Sequence, residues 1–224
     1  MVCYYNSKLS LPQLPDMVYP NNSLSVSYTD DENYCLFFNA LDALQMVDSN
    51  KLPGIEVASS AAWQKARESC GLLKQPARPF DWTFTTEYEG TVRGFEVEPT
   101  EERIDLERLK SREPIHFYSQ IVLYEDELAD HGCSQMSVRV RVMPTFFFLL
   151  ARFYLRVDGV LVRICDTRVF GERGSRFILR EWTEREANYA SLGVQAIENI
   201  LDPNTVWQHL PIVKSRATKL FLPR

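Results

Sequence analysis

The sequence is poor in the residues that make simple active sites. It holds three histidines, His116, His131 and His209, and none stands in a pattern that would give a nucleophile a positioned base. No G-x-S-x-G segment occurs. The stretch Gly171–Gly174 lacks the spacing of a phosphate-cradling loop and reads as a turn between strands. Five cysteines, Cys3, Cys35, Cys70, Cys133 and Cys165, form no C-x-x-C pair, so neither a disulfide framework nor a structural zinc is indicated. They read as free thiols of a reducing compartment. The longest apolar run, Phe146–Ala151, falls far short of the ~20 residues that a membrane helix needs. The first ten residues carry no apolar signal core. Only 9 Gly and 12 Pro in 224 residues exclude collagenous and low-complexity classes. The expectation is a cytoplasmic protein with no cofactor, no metal and no membrane contact.

What the chain does have is arginine in an unusual place. The formal net charge is −5, which argues against nucleic acid as the main partner. Residues 1–110 carry 10 basic and 17 acidic side chains, and residues 111–224 carry 15 and 13. No lysine occurs between Lys110 and Lys214, and from Arg139 to Arg185 ten arginines face five acids. A planar guanidinium captures carboxylate or phosphate with two parallel bonds, which lysine does less well. Strand arginines also serve structure, by laying their stems over apolar sheet and pairing with neighbouring acids.

Patterning predicts an α+β chain: a mainly antiparallel β-sheet core with several short flanking helices, in one domain over 1–224. Residues 1–23 read as an extended N-terminal arm. Leu24–Tyr28 and Tyr34–Phe38 read as strands across an acidic turn. Asn39 is set to cap a helix through Leu44 and Val47. Ser59 or Ser60 is set to cap a second helix, Ala61–Ser69, followed by a loop over 71–80. Asp81–Thr86 is strand-like, and Asp105 caps a helix over Leu106–Arg112. Gln135–Val142 alternates, with Met136, Val138, Val140 and Val142 on one face. Asp158–Gly159 reads as a two-residue hairpin turn, which pairs Val157 with Val160, Leu155 with Val162, Phe153 with Ile164 and Ala151 with Asp166. A strand over Arg176–Trp182 follows. Thr183 and Glu186 then read as a capping box opening a helix, and Asp202–Pro203 caps another through His209.

The acidic stretch Glu125, Asp126, Glu127, Asp130 with His131 is the densest candidate for metal chemistry, but it lacks the spacing of known calcium or zinc loops. It reads as a solvated turn, with a metal-dependent hydrolase as the remote alternative.

The segments DWTFTTEYEGT, IDLERLKSREPI, LYEDELADHG, LREWTERE and the run VRVRVMPTFFFLLARFYLRVDGVLVRICDTRVF resemble the TIPRL family, the TOR-signalling regulator-like proteins. The resemblance runs from about Leu11 to Pro223. It implies a non-catalytic regulator, generally inhibitory, that binds the catalytic subunits of type 2A, four and six protein phosphatases. It also implies a cleft that receives the phosphatase's C-terminal tail, in a protein that is a monomer by itself. Four partner-binding positions follow from the resemblance: Asp42 in NALDAL, Ile104 in the I-D-x-x-x-L-K motif, Ile164 two residues before D-T-R, and Trp182 after L-R-E. Ile164 and Trp182 depart from the family's usual Met and Tyr. Arg163, Asp166 and Arg168 are candidates for the tail-carboxylate cleft. The runner-up reading is an adaptor that recognises acidic or C-terminal peptides without a phosphatase link.

Overall fold

The computed structural model describes residues 8, 9, 11, 13–29, 31–47 and 82–223. The expected helix Ala61–Ser69 and the loop over 71–80 lie outside them. Eleven strands are described: β1 (Met17–Val18), β2 (Ser23–Tyr28), β3 (Asp31–Asn39), β4 (Thr91–Arg93), β5 (Glu96–Pro99), β6 (Phe117–Asp126), β7 (Gly132–Val142), β8 (Phe146–Val157), β9 (Leu161–Glu172), β10 (Phe177–Asn188) and β11 (Ile212–Phe221). They form an eight-stranded sheet, ordered β1-β6-β7-β8-β9-β10-β11-β5, and a three-stranded sheet, β2-β3-β4. Every pairing is antiparallel. The short helices are α1 (Ala40–Gln45), α2 (Leu106–Leu109), α3 (Val194–Glu198) and α4 (Pro203–Val206). This is the expected α+β architecture.

The alternation of β7 explains the packing. Met136, Val138 and Val140 are buried on the face that meets Leu24, Leu36 and Phe38 of the small sheet, so one hydrophobic cluster joins both sheets. We call this the inner face. Asn39 caps α1 as its sequence indicates, its side chain accepting from the Asp42 amide at 2.9 Å. Asp105 and Asp202 likewise accept from the amides of Glu107 and Asn204 at the starts of α2 and α4. Gly132 opens β7 with φ +154°, where an added Cβ would lie 1.8 Å from the Arg156 carbonyl oxygen. Only a residue without that atom lets β8 approach so closely.

Three expectations fail, each for a physical reason. The hairpin after Val157 turns through three residues, Asp158–Val160, so Val157 pairs with Leu161, Leu155 with Arg163 and Phe153 with Cys165. That one-residue slip exchanges the faces of β9: Cys165 and Val169 enter the main core, and Ile164, Asp166 and Arg168 go to the other side. The capping box at Thr183 opens no helix, because β10 continues to Asn188, hydrogen-bonded to β9 on one side and β11 on the other. Two-sided sheet pairing overrides a local capping signal. The segment DWTFTT is not a strand in its described part. Phe84 takes φ +56°, and the segment crosses the inner face held by side chains: Tyr124 donates to the Phe84 carbonyl at 2.8 Å and Ser134 to the Thr83 carbonyl at 2.5 Å.

The arm is more than an extended tail. Leu9 is buried, Leu11 and Leu14 pack against the same core, and Met17–Val18 pairs with β6. The helix at Asp105 ends at Leu109, earlier than its sequence suggests. Strands β4, β5 and β11 and helix α3 were not anticipated from the sequence.

Candidate functional site

Cross-strand partners share a face, so the register defines the second, outer face of the large sheet. It carries Arg139 and Arg141 of β7, Leu150, Arg152 and Tyr154 of β8, Ile164, Asp166 and Arg168 of β9, and Glu181, Thr183 and Arg185 of β10. Two coverings sit on it. Residues of α3 and α4 and the chain after them cap one end, where Ile200, Val206 and Leu210 pack on Tyr154, Val162 and Ile164. The segment around α2 caps the other end. There the Ile104 amide donates to Glu181 Oε1 at 2.6 Å, and Arg108 stacks over the Phe146 ring at 4.8 Å.

Between the coverings lies an arginine cluster around one buried acid. Arg152 donates from Nε and Nη2 to the two Asp166 oxygens, both at 2.7 Å, with side chains 6% and 1% exposed. Its Nη1 reaches the Pro203 carbonyl, and Arg139 Nη2 donates to Asn204 Oδ1 at 2.6 Å. These bonds fix the start of α4 on the sheet. The Trp207 ring that follows lies between two guanidiniums, 5.0 Å from Arg168 and 5.2 Å from Arg185. Arg185 donates to the Leu210 carbonyl at 2.6 Å, while its Nε and the Thr183 hydroxyl are buried with no hydrogen-bond partner among the described residues.

The electrostatics are unbalanced. Between the coverings, five arginines (139, 141, 152, 168 and 185) lie around two carboxylates, Asp166 and Glu181; towards the ends of the same face Arg156 is paired with Asp158, Glu125 accepts from Tyr19 and Gln135, and Glu172 is paired with Arg108. Arg152 occupies Asp166, and the Ile104 amide occupies Glu181. Burial, then the nearby Arg152, pushes the Arg139 guanidinium below its ordinary range, and burial, then Arg168, does the same to Arg185. Both groups stay charged, so the cluster gains from an arriving anion.

The inner face is chemically opposite. Arg163 donates to Glu186 at 2.6 Å and to Thr85 at 3.0 Å, and lies 3.8 Å from Glu184. Arg216 stacks on the Trp182 ring at 3.7 Å and is bound by Glu87 and Glu89, while Arg180 lies 3.4 Å from Glu89. Each of these cations already has its acid.

The sequence-derived residues therefore separate. Asp166 and Arg168 stand together on the outer face, and Arg163 is on the inner face with its acids. Ile164 is fully buried under the α3–α4 covering, and Ile104 is 5% exposed against Glu181. Trp182 is 1% exposed beneath Arg216. Asp42 is half-buried on α1, where Thr91 donates to its carboxylate. Sequence reasoning missed Arg139, Arg152, Arg185 and Trp207 as site residues. The two-residue spacing of Arg139 and Arg141 within β7 was a usable signal, whereas reading Thr183 as a helix cap hid Arg185.

The acidic stretch is structural. Glu125 accepts from Tyr19 and Gln135, and Asp126 accepts from the amides of Asp16 and Leu128 at 2.9 and 2.6 Å. Burial raises the Asp126 carboxyl above its ordinary range. Leu128, Ala129 and Asp130 all take left-handed backbone angles, which bends the chain back into β7.

A family profile described as the TIP41-like family matches residues 17–193. The chain is 47% identical to a TIP41-like protein of Caenorhabditis elegans over 223 residues, covering 99% of this chain and 79% of that one. It is 42% identical to a TIP41-like protein of Homo sapiens over 220 residues, 96% of this chain and 80% of that one. It is 34% identical over 237 residues to a protein of Saccharomyces cerevisiae named type 2A phosphatase activator TIP41, covering 95% of this chain and 66% of the relative.

Proposed function

The chain belongs to the TIP41-like family, and from that premise we propose that it is a non-catalytic regulator of type 2A-family serine/threonine phosphatases. It binds the catalytic subunit and takes that subunit's C-terminal tail on the arginine face. The yeast relative's name supports the type 2A partner. The resemblance in the motifs extends the reading to the type four and six subunits, to TOR signalling and to a cytoplasmic monomer. That resemblance implies inhibition, whereas the yeast name says activator. Capture of the tail is common to both directions, and an assay of phosphatase activity reads the sign.

The observation that carries the tail reading is the surplus of guanidinium around Asp166. A chain-terminal carboxylate is the anion that such a cluster binds with two parallel bonds, and Trp207 between Arg168 and Arg185 offers an apolar wall for the last side chain. Arg163 takes no part, because Glu186 and Glu184 neutralise it on the other face. Ile104 and Ile164 pack beneath the coverings of that face, whereas Asp42 and Trp182 lie on the inner side of the sheet, where Asp42 is exposed enough to touch the partner.

The test has two arms. Immobilised protein should retain the isolated type 2A catalytic subunit, and failure to do so overturns the regulator reading. Titration with the subunit's tail peptide should show at least tenfold tighter binding for the free carboxylate than for the amide, and equal affinity overturns carboxylate capture. Tail binding without retention of the subunit would mark a peptide adaptor instead.

A further inference from the structure

We propose that the outer edge of β6, over Phe117–Ile121, accepts an extended segment of a partner protein as an added strand, and that this segment alternates apolar with acidic side chains. This goes beyond capture of a tail carboxylate and uses a different surface.

Among the described residues the edge is open by topology. β1 covers only two positions of β6, Met17 opposite Glu125 and Val18 opposite Tyr124. The Tyr19 amide then bonds the Leu123 carbonyl at 2.9 Å and the Asn22 side chain the Val122 carbonyl at 2.7 Å, after which the chain leaves for β2. From Ile121 back to Phe117, no described residue pairs with β6 on its outer side, while β7 pairs with it to the end, Phe117 opposite Val142. Alternate amides and carbonyls of this stretch therefore point outward with no partner among the described residues.

The edge also lacks the devices that usually blunt one. Proteins protect free edges with charge, proline or a bulge. The opposite edge of the same sheet, β5, has Glu96, Glu98 and Pro99. The stretch FYSQI has no charge and no proline, and the bulge of β6 comes later, between Val122 and Tyr124. Ile115, Phe117 and Tyr118 are 55%, 55% and 53% exposed around it. Such a concentration of apolar surface at an unpaired edge is the setting of strand addition.

Charge selects the occupant. On the inner side, Phe117, Ser119 and Ile121 neighbour Val142, Val140 and Val138, which suits apolar side chains. On the outer side, Tyr118 and Gln120 neighbour Arg141 and Arg139. Arg141 is exposed and has no ion pair among the described residues, and the hydrogen-bond partner of Arg139 is the neutral Asn204. An added strand lies about 10 Å from β7, so its outer side chains sit within one screening length of both arginines. A second copy pairing edge to edge would bring the same two arginines of each chain toward each other, which disfavours that occupant.

The experiment uses the whole chain and the peptide acetyl-TVEVEVT-amide, whose caps remove any terminal carboxylate, so that the result is independent of tail capture. Its comparators are acetyl-TVKVKVT-amide and a form of the acidic peptide N-methylated at alternate residues. The acidic peptide should slow hydrogen exchange at alternate amides of Phe117–Ile121 at least threefold. The lysine form should bind at least tenfold more weakly, the methylated form should not bind, and Arg141→Glu should reverse the preference. Unchanged exchange, or equal binding of acidic and basic peptides, overturns the proposal. Protection of the same amides without peptide, in a dimer that forms with concentration, assigns the edge to a second copy and overturns it equally.

Discussion

Arg152 and Asp166 face each other across β8 and β9 with both carboxylate oxygens engaged, and the same guanidinium reaches forward to the carbonyl that begins α4. One ion pair thus joins the sheet to the covering that carries Trp207. It also sets the character of the outer face: with Asp166 occupied, Arg168, Arg185 and Arg141 have no acid of their own among the described residues beyond the 3.5 Å approach of Arg168 to Asp166.

Removing half of this pair should be far worse than removing all of it. Arg152→Met leaves a buried carboxylate uncompensated, at a cost of about 3–5 kcal/mol. Arg152→Met combined with Asp166→Leu should lie closer to the parent in urea unfolding than Arg152→Met alone. If the losses simply add, the pair is not the coupled unit described.

Tail binding should depend on face, not on arginine as such. Arg168→Gln or Arg185→Gln removes a charge-assisted bond worth about 1.5–3 kcal/mol, so the affinity for the free tail carboxylate should fall roughly tenfold or more. Arg163→Gln, on the inner face beside its own acids, should leave that affinity unchanged. Isothermal titration of the three variants decides this, and raising the salt should weaken the parent's binding.

The alkaline limb of stability should carry the signature of Tyr88. Burial is the main cause that raises its phenol to about 12, and the nearby Asp42 charge adds to it. A folded-state value above the unfolded value of about 10 means that stability is intact below pH ~10 and falls as pH rises toward ~12. Tyr88→Phe should unfold more easily at neutral pH, because bonds to the Phe37 carbonyl and Thr91 are lost. It should also lose less stability than the parent between pH ~10 and ~12, measured as urea midpoints.

The two halves of the fold were unequally legible in the sequence. The caps at Asn39, Asp105 and Asp202 are local, since a side chain reaches an amide two or three residues on, and each was readable directly. The alternation in β7 was equally plain. The face of Ile164 was not: it turns on whether Val160 belongs to the turn or to β9, and a three-residue turn reverses every side chain after it. β11 was invisible because its exposed stretch Ile212–Ser215 has no buried alternation to betray it. At the site, motifs led to Asp166 and Arg168. Trp207 joins them only through the path of α4 across the sheet, which no periodicity records.

Asp42 offers the sharpest separation of a contact role from a positioning role. Its carboxylate accepts from the Thr91 hydroxyl, Thr91 and Tyr88 share a bond of 2.9 Å, and Tyr88 donates to the Phe37 carbonyl at 3.1 Å. The group therefore ties α1 to the segment that crosses the inner face. Asp42→Asn keeps an oxygen for Thr91 and removes only the charge, so stability should move by less than about 0.5 kcal/mol. Asp42→Leu removes the acceptor and should cost about 1–2 kcal/mol. If Asp42 meets the phosphatase through its charge, both variants weaken capture of the catalytic subunit, and the Asn variant does so while still folding like the parent. If the Asn variant captures the subunit as the parent does and only the Leu variant fails, Asp42 acts by holding Thr91 and Tyr88 in place, and the contact role assigned to it is wrong.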